Sequence, residues 1–226
     1  MCPAQTQPTN DADEAPPIVP ASPLNENRIF GVIPDFQTVT DTGLGVKPLT
    51  GKQKWMLALR ETVDPFNIMN AAMGAAFSQR GNQTPKYGEG GVAFTQRFGA
   101  AFADFGTQNF FSAGLLATVL HQDPRYYRKG PGTGVAKRAL YSVSRLVVAR
   151  QDSGVSAFNA SGIGGMMMGI AASNLYYPAA SVRGCVMAER ISTSLTGGIM
   201  GNLMSEFWPD LQKKFFHRKK DNTGRE

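Results

Sequence analysis

The chain has 226 residues, a formal net charge of +6 and 18% charged residues, against roughly 25% in an average soluble domain. That length holds one well-buried domain with a tail. Its only histidines are His121 and His217, its only cysteines are Cys2 and Cys185, and no CxxC pair occurs; this argues against a zinc centre or a disulfide framework, and we expect no metal and no cofactor.

MCPAQTQ opens the chain. Its PAQ resembles the small-residue end of a secretory signal, although no apolar stretch precedes it. Residues 1–5 are read as a signal remnant within a disordered, acidic, Pro-rich tail over residues 1–26, which has too little apolar surface to offset its ordering entropy. Residues 27–49 alternate apolar residues with turn signals such as Ile33-Pro34-Asp35, and they predict an extended arm.

Residues 50–212 predict an all-α, Gly/Ala-rich helical bundle. Thr50 is placed to cap a first helix with Trp55, Leu59 and Val63 at helical spacing, and Asp64-Pro65 to start a second. Further helices are expected at 93–120, 135–151, 158–176 and 182–206. Trp208-Pro209-Asp210 then opens the basic C-terminal tail, 213–226.

The stretch FNASGIGGMMMGIAASNLYYP, 158–178, has no charge. Asn159, Ser161, Ser173 and Asn174 dilute its hydrophobicity, so it is a poor membrane span. Every fourth residue is small: Ser161, Gly165, Gly169, Ser173. The last helix repeats the stripe with Gly197 and Gly201. Each Gly inside a helix costs roughly 1 kcal/mol against Ala, and close helix–helix packing through these positions is the expected compensation. The three methionines 166–168 read as adaptable apolar packing.

HQDPRYYRK, 121–129, is the densest polar cluster. As a site it would use His121 as base, Asp123 to orient it, and Arg125 and Arg128 to bind an anion. As plain structure it is a helix stop and turn, and that reading is preferred. Asp152-Ser153-Gly154 of VARQDSG reads as a cap and turn before the Gly-rich helix; a polar network of Arg150 and Asp152 with the 121–129 cluster is the alternative if the helices are antiparallel. Lys137, Arg138 and Arg145 on the 135–151 helix, with Lys213, Lys214 and Arg218 in the tail, are candidate contacts to an anionic lipid surface. Nucleic acid ranks last, since no recognised motif supports it. GPGTG at 130–134 lacks the phosphate-loop spacing.

As a set, NRIFGVIPDF, HQDPRYYRKG, VARQDSG, SNLYYP and EFWPDL resemble motifs of a group of exported-looking bacterial proteins with no assigned reaction. The resemblance covers residues 27–210. It implies one domain of exported origin and assigns no ligand or catalytic residue.

The expected role is a non-enzymatic protein of the bacterial cell envelope, periplasmic or membrane-associated, with a cytoplasmic place left open. It would be a helical scaffold or a subunit of a larger assembly, partnered by an envelope protein or by itself. The alternatives are a lipid- or phosphate-directed hydrolase built on His121, Asp123 and Arg125, and a small oligomeric pore built on the glycine stripes.

Overall fold

The computed structural model describes residues 28–29, 33–34, 36–39 and 46–222. The expected acidic tail and signal remnant lie outside the described residues.

Among the described residues, six helices of ten residues or more carry most of the structure. Thr50 and Gln53 form a reciprocal cap on α1 (Gly51–Thr62): the Thr50 N–H donates to Gln53 Oε1 at 2.9 Å and the Gln53 N–H to Thr50 Oγ1 at 3.4 Å. Asp64 caps α2 (Pro65–Gln79) by accepting from the Phe66 N–H at 2.9 Å, with Pro65 at the first helical position. Helix α3 (Gly91–Asn109) widens into π turns over Phe110–Leu116 and ends in a single turn, α4 (Ala117–Val119). Then follow α5 (Val135–Ser144), α6 (Ala160–Ser173) and α7 (Gly184–Asn222).

The all-α expectation needs correction: the structure is mostly helical, but among the described residues seven short strands form three small sheets. Strand β1 (Arg28–Ile29) pairs antiparallel with β2 (Ile33–Pro34), and β3 (Thr38–Val39) pairs in parallel with β5 (Tyr126–Tyr127). Strand β6 (Val148–Gln151) lies between β4 (Gln122–Asp123) and β7 (Ser156–Phe158), antiparallel to both. The helix expected over 135–151 therefore stops at Ser144. The Val147-Val148 pair favours strand, and Gly154, at φ +88°, supplies the left-handed residue that turns β6 back into β7. The last helix does not end near 206 but runs through Pro209 to Asn222.

Helix α6 crosses α3 and the π turns at very short range. Ser161, Gly165, Gly169 and Ser173 are all buried. A Cβ added at Gly165 would lie 2.4 Å from the Cα and N of Ser112, and one at Gly169 would lie 2.5 Å from Gln108 Cγ. Trp55 closes in the same way on Gly114, whose added Cβ would meet the indole at 2.7 Å. The stripe expected on α7 finds no such neighbour: a Cβ at Gly197 or Gly201 would meet nothing within 4 Å.

The distribution of side chains is inverted. The buried apolar residues are mostly alanines (Ala58, Ala71, Ala75, Ala93, Ala100, Ala113, Ala117), with one small cluster of Phe36, Leu49 and Leu57. The largest fully buried side chains include Arg97, Arg128, Lys54 and Glu206. Large apolar side chains face outward instead. Met69, Met73 and Phe77 make an exposed stripe along α2, and Met200, Met204 and Leu211 another along α7. Leu140 on α5 is 72% exposed, and Leu175 after α6 is 90% exposed. Among the described residues, no helix is long and apolar enough to cross a membrane.

The two kinds of glycine give opposite expectations. Gly165→Ala forces α6 away from Ser112 and should destabilise by about 1–3 kcal/mol. Gly197→Ala meets open space within a helix and should stabilise by about 0.5–1 kcal/mol. Urea unfolding of both variants checks the contrast.

Candidate functional site

The HQDPRYYRK motif folds back on itself around Asp123. Its buried carboxylate accepts from the Arg125 N–H and Nε at 3.0 Å, from Arg125 Nη2 at 2.6 Å and from the Tyr127 hydroxyl at 2.7 Å. Burial works against the Arg125 charge, but the bonds to Asp123 outweigh it and hold the guanidinium pKa above its ordinary value. Burial and the Asp123 charge together push the Tyr127 phenol upward, so it remains a hydrogen-bond donor. Gln122, one residue earlier, donates to the Phe158 carbonyl at 2.6 Å and accepts from the Ser161 N–H at 2.8 Å, tying β4 to the start of α6.

His121 takes no part in this knot. Its backbone has φ +52°, which turns its side chain outward to 83% exposure. Its neighbouring acid is Asp152, at 3.8 Å, rather than Asp123. Asp152 in turn is held by the buried Lys54 ammonium at 2.7 Å, which also donates to the Ala117 carbonyl at 3.1 Å. The expected His121–Asp123 pair is thus not formed. The network between the two polar motifs does exist in another form: β4 pairs with β6, placing Asp123 across from Arg150.

Arg128 and Arg138 converge on Glu206, which is 0% exposed. Its carboxylate accepts from Arg138 Nε at 2.7 Å, from the Tyr126 hydroxyl at 2.9 Å, and from the Lys129 and Gly130 N–H groups at 3.1 Å. Its backbone carbonyl, in the turn containing Pro209, accepts from Arg128 Nε and Arg138 Nη2, both at 2.7 Å. Asp210 pairs with Arg138 Nη2 at 2.6 Å and also with Arg128 Nη2. Partial burial opposes the Asp210 charge, but bonds from the two arginines prevail and hold its carboxyl below the usual range. Two guanidiniums and two carboxylates therefore satisfy one another. This corrects the expectation that Arg128 and Arg138 meet an external anion or a lipid surface. Lys137 and Lys214 are exposed, and the side chains of Lys213 and Arg218 lie outside the described residues.

The SNLYYP motif does similar work. The hydroxyls of Tyr176 and Tyr177 both donate to Asp104 on α3, the first at 2.6 Å. Burial raises the Asp104 carboxyl, and these two bonds oppose the rise. Arg190 stacks on the Tyr177 ring at 4.2 Å.

A cavity of about 310 Å³ lies among the Asp123 knot, β6, the start of α6, the π turns and α7. Among the described residues, its charged lining is Asp123, Arg125, Arg145 and Arg150. Among the described residues, no group of three or more His, Cys, Asp or Glu could hold a metal ion. Reading the motifs one at a time missed Glu206 and Asp104 as network centres. The available signal was Glu206 and Asp210 four residues apart in EFWPDL, which puts two acids on one helix face.

No family model, curated protein or solved structure matches the chain. The functional reading therefore rests on this geometry.

Two electrostatic outcomes are expected. Glu206→Ala removes the carboxylate that buried Arg138 Nε, the Tyr126 hydroxyl and the Lys129 and Gly130 N–H groups share, and should cost about 3–5 kcal/mol in chemical unfolding. Glu61, at the end of α1, behaves differently. Burial pushes its carboxyl up to about 8, a bond to Gln37 opposes the shift, and the Asp64 charge adds to it. Its folded-state pKa lies above the unfolded value of about 4.5, so this group's contribution favours folding at low pH and is lost as pH rises from 4.5 to 8. Glu61→Gln should flatten that decline, raising Tm relative to the parent at pH 8.5 more than at pH 5 in paired thermal scans.

Proposed function

We propose that this chain is a non-enzymatic, membrane-associated helical scaffold of the bacterial cell envelope. The observation that carries the reading is the inverted distribution of side chains. Buried charged groups, among them the paired Lys54, Asp123, Arg128, Arg138 and Glu206, sit inside with small residues, while Met, Leu, Val and Phe side chains on α1, α2, α3, α5, α6 and α7 face outward. A polar interior under a widely apolar exterior is the arrangement that an acyl-chain surrounding favours. Exposed apolar stripes such as Met69, Met73 and Phe77 on α2 suit seating against acyl chains at a membrane surface.

Two further features support it. Exposed hydroxyls on α7 bond back to their own helix: Ser192 to the Ala188 carbonyl, Thr193 to Glu189 and Thr196 to Ser192, at 2.8–2.9 Å. Such bonds satisfy polar atoms without water. Helix α5 carries exposed Val135, Leu140 and Val143 beside exposed Lys137. This suits an apolar face in lipid with its ammonium reaching the headgroups. The working unit would be a rigid set of helices, locked inside by ion pairs and seated in the membrane by its outer side chains. The exported origin implied by the motif resemblance fits this placement.

Vesicle flotation tests the proposal. The protein should float with phospholipid vesicles and remain bound in high salt, because the attraction is mainly apolar. Met73→Glu with Phe77→Glu should reduce flotation several-fold at unchanged Tm, since both side chains are exposed. A parent protein that stays monodisperse in detergent-free buffer and ignores vesicles would sink the scaffold reading.

A further inference from the structure

The cavity beside the Asp123 knot holds an imbalance of charge that the fold does not resolve. Arg125 and Asp123 cancel each other through the bonds described above. Arg145 and Arg150 remain, and among the described residues neither has a carboxylate partner. Each lies instead against an aromatic face, Arg145 at 4.7 Å from the Tyr141 ring and Arg150 at 4.5 Å from the Tyr127 ring. The Nε of Arg145 is buried with no hydrogen-bond acceptor. Leaving a buried N–H of a charged group without an acceptor is costly. Two more cavity-lining donors, the Gln108 amide and the Ser194 hydroxyl, have no side-chain hydrogen bond among the described residues.

We propose that this cavity binds a phosphate monoester through Arg145 and Arg150, with Gln108 and Ser194 completing the shell. The charge count selects the class. Two unpaired guanidiniums call for about two negative charges, which a monoester carries at neutral pH with a second pKa near 6, whereas a carboxylate supplies one. Guanidinium forks also match the tetrahedral oxygens of phosphate. A volume of about 310 Å³ is at the lower end of small-molecule sites and leaves room for a small organic group beside the phosphate. The aromatic faces hold both guanidiniums in place before the ligand arrives. The monoester can belong to a free metabolite or to a lipid headgroup, and the chemistry of the site is the same for both.

Isothermal titration of the full chain in mild detergent with glycerol 3-phosphate tests the free form. Flotation with phosphatidic acid vesicles against phosphatidylcholine vesicles tests the lipid form. Saturable binding in either arm is expected. Arg145→Gln and Arg150→Gln should each weaken it at least about tenfold, the size expected for losing a charge-assisted bond. Binding should also weaken as pH falls through about 6, where the monoester loses its second charge; this readout needs no variant. In the vesicle arm the arginine variants should lose the preference for phosphatidic acid while still floating with phosphatidylcholine, so the site and the apolar seating fail separately. Absence of saturable binding in both arms overturns the proposal. So does binding that is unchanged in the folded double variant or independent of pH between 5 and 8.

Discussion

The Glu206 carboxylate, fully buried among Arg138, Tyr126 and two backbone N–H groups, is the constraint on which the rest depends. Taking a carboxylate out of water costs several kcal/mol even after relaxation, and attraction repays this only when the geometry is good and the remaining lone pairs are filled. Here both oxygens are filled, and the carbonyl of the same residue takes two guanidinium bonds. Those bonds come from β5, the loop after it and α5, so one residue of α7 fixes three other segments at once. Pro209 leaves the Ser205 carbonyl without its helical donor, and the carbonyl that Arg128 and Arg138 hold is the next one along α7.

Committing charge to the interior has a consequence for the surface. Helix α5 has two stripes, one carrying Arg138 and Ser142, the other Leu140 and Val143. The first faces Glu206 and Asp210, so the second faces outward. Helix α3 repeats the choice: Arg97 is 1% exposed, and Asp104 is clasped by two tyrosines, while Val92 is exposed. Close helix contact then has to come from small residues, because large apolar ones are spent outside. Gly165 against Ser112 and Gly169 against Gln108 show the result: backbones approach until no methyl group would fit between them.

Much of this was legible before any coordinates, and the parts that were not share a cause. The caps at Thr50 and Asp64 are local chemistry, encoded within three or four residues, and α1 and α2 start where those residues place them. The small stripe of α6 is likewise periodic within one helix, and it falls on the buried face. Periodicity does not say which of two stripes turns inward, however. Arg138 is expected from its own helix as a contact to an anionic lipid surface, but it is inside because Glu206 lies across from it, some seventy residues away in sequence. The hairpin of β6 with β7 is local, but the pairing of β6 with β4 joins two separate motifs, and the same kind of pairing placed His121 next to Asp152 instead of Asp123. Long-range pairing decides these features, and one motif read alone carries no record of it.

The knot and the cavity are connected through Tyr127. Its hydroxyl donates to Asp123, its carbonyl accepts from the Tyr141 hydroxyl at 2.7 Å, and its ring supports Arg150. Tyr141 in turn supports Arg145. Each unpaired guanidinium thus rests on a ring whose own polar atom is already bonded within the fold. A side chain held in this way has little conformational entropy left to lose, which favours binding by a preformed site over a flexible one. The interactions that hold Asp123 and Tyr127 in place therefore also hold two guanidiniums without carboxylate partners beside the cavity, and that is the arrangement an anionic ligand would complete.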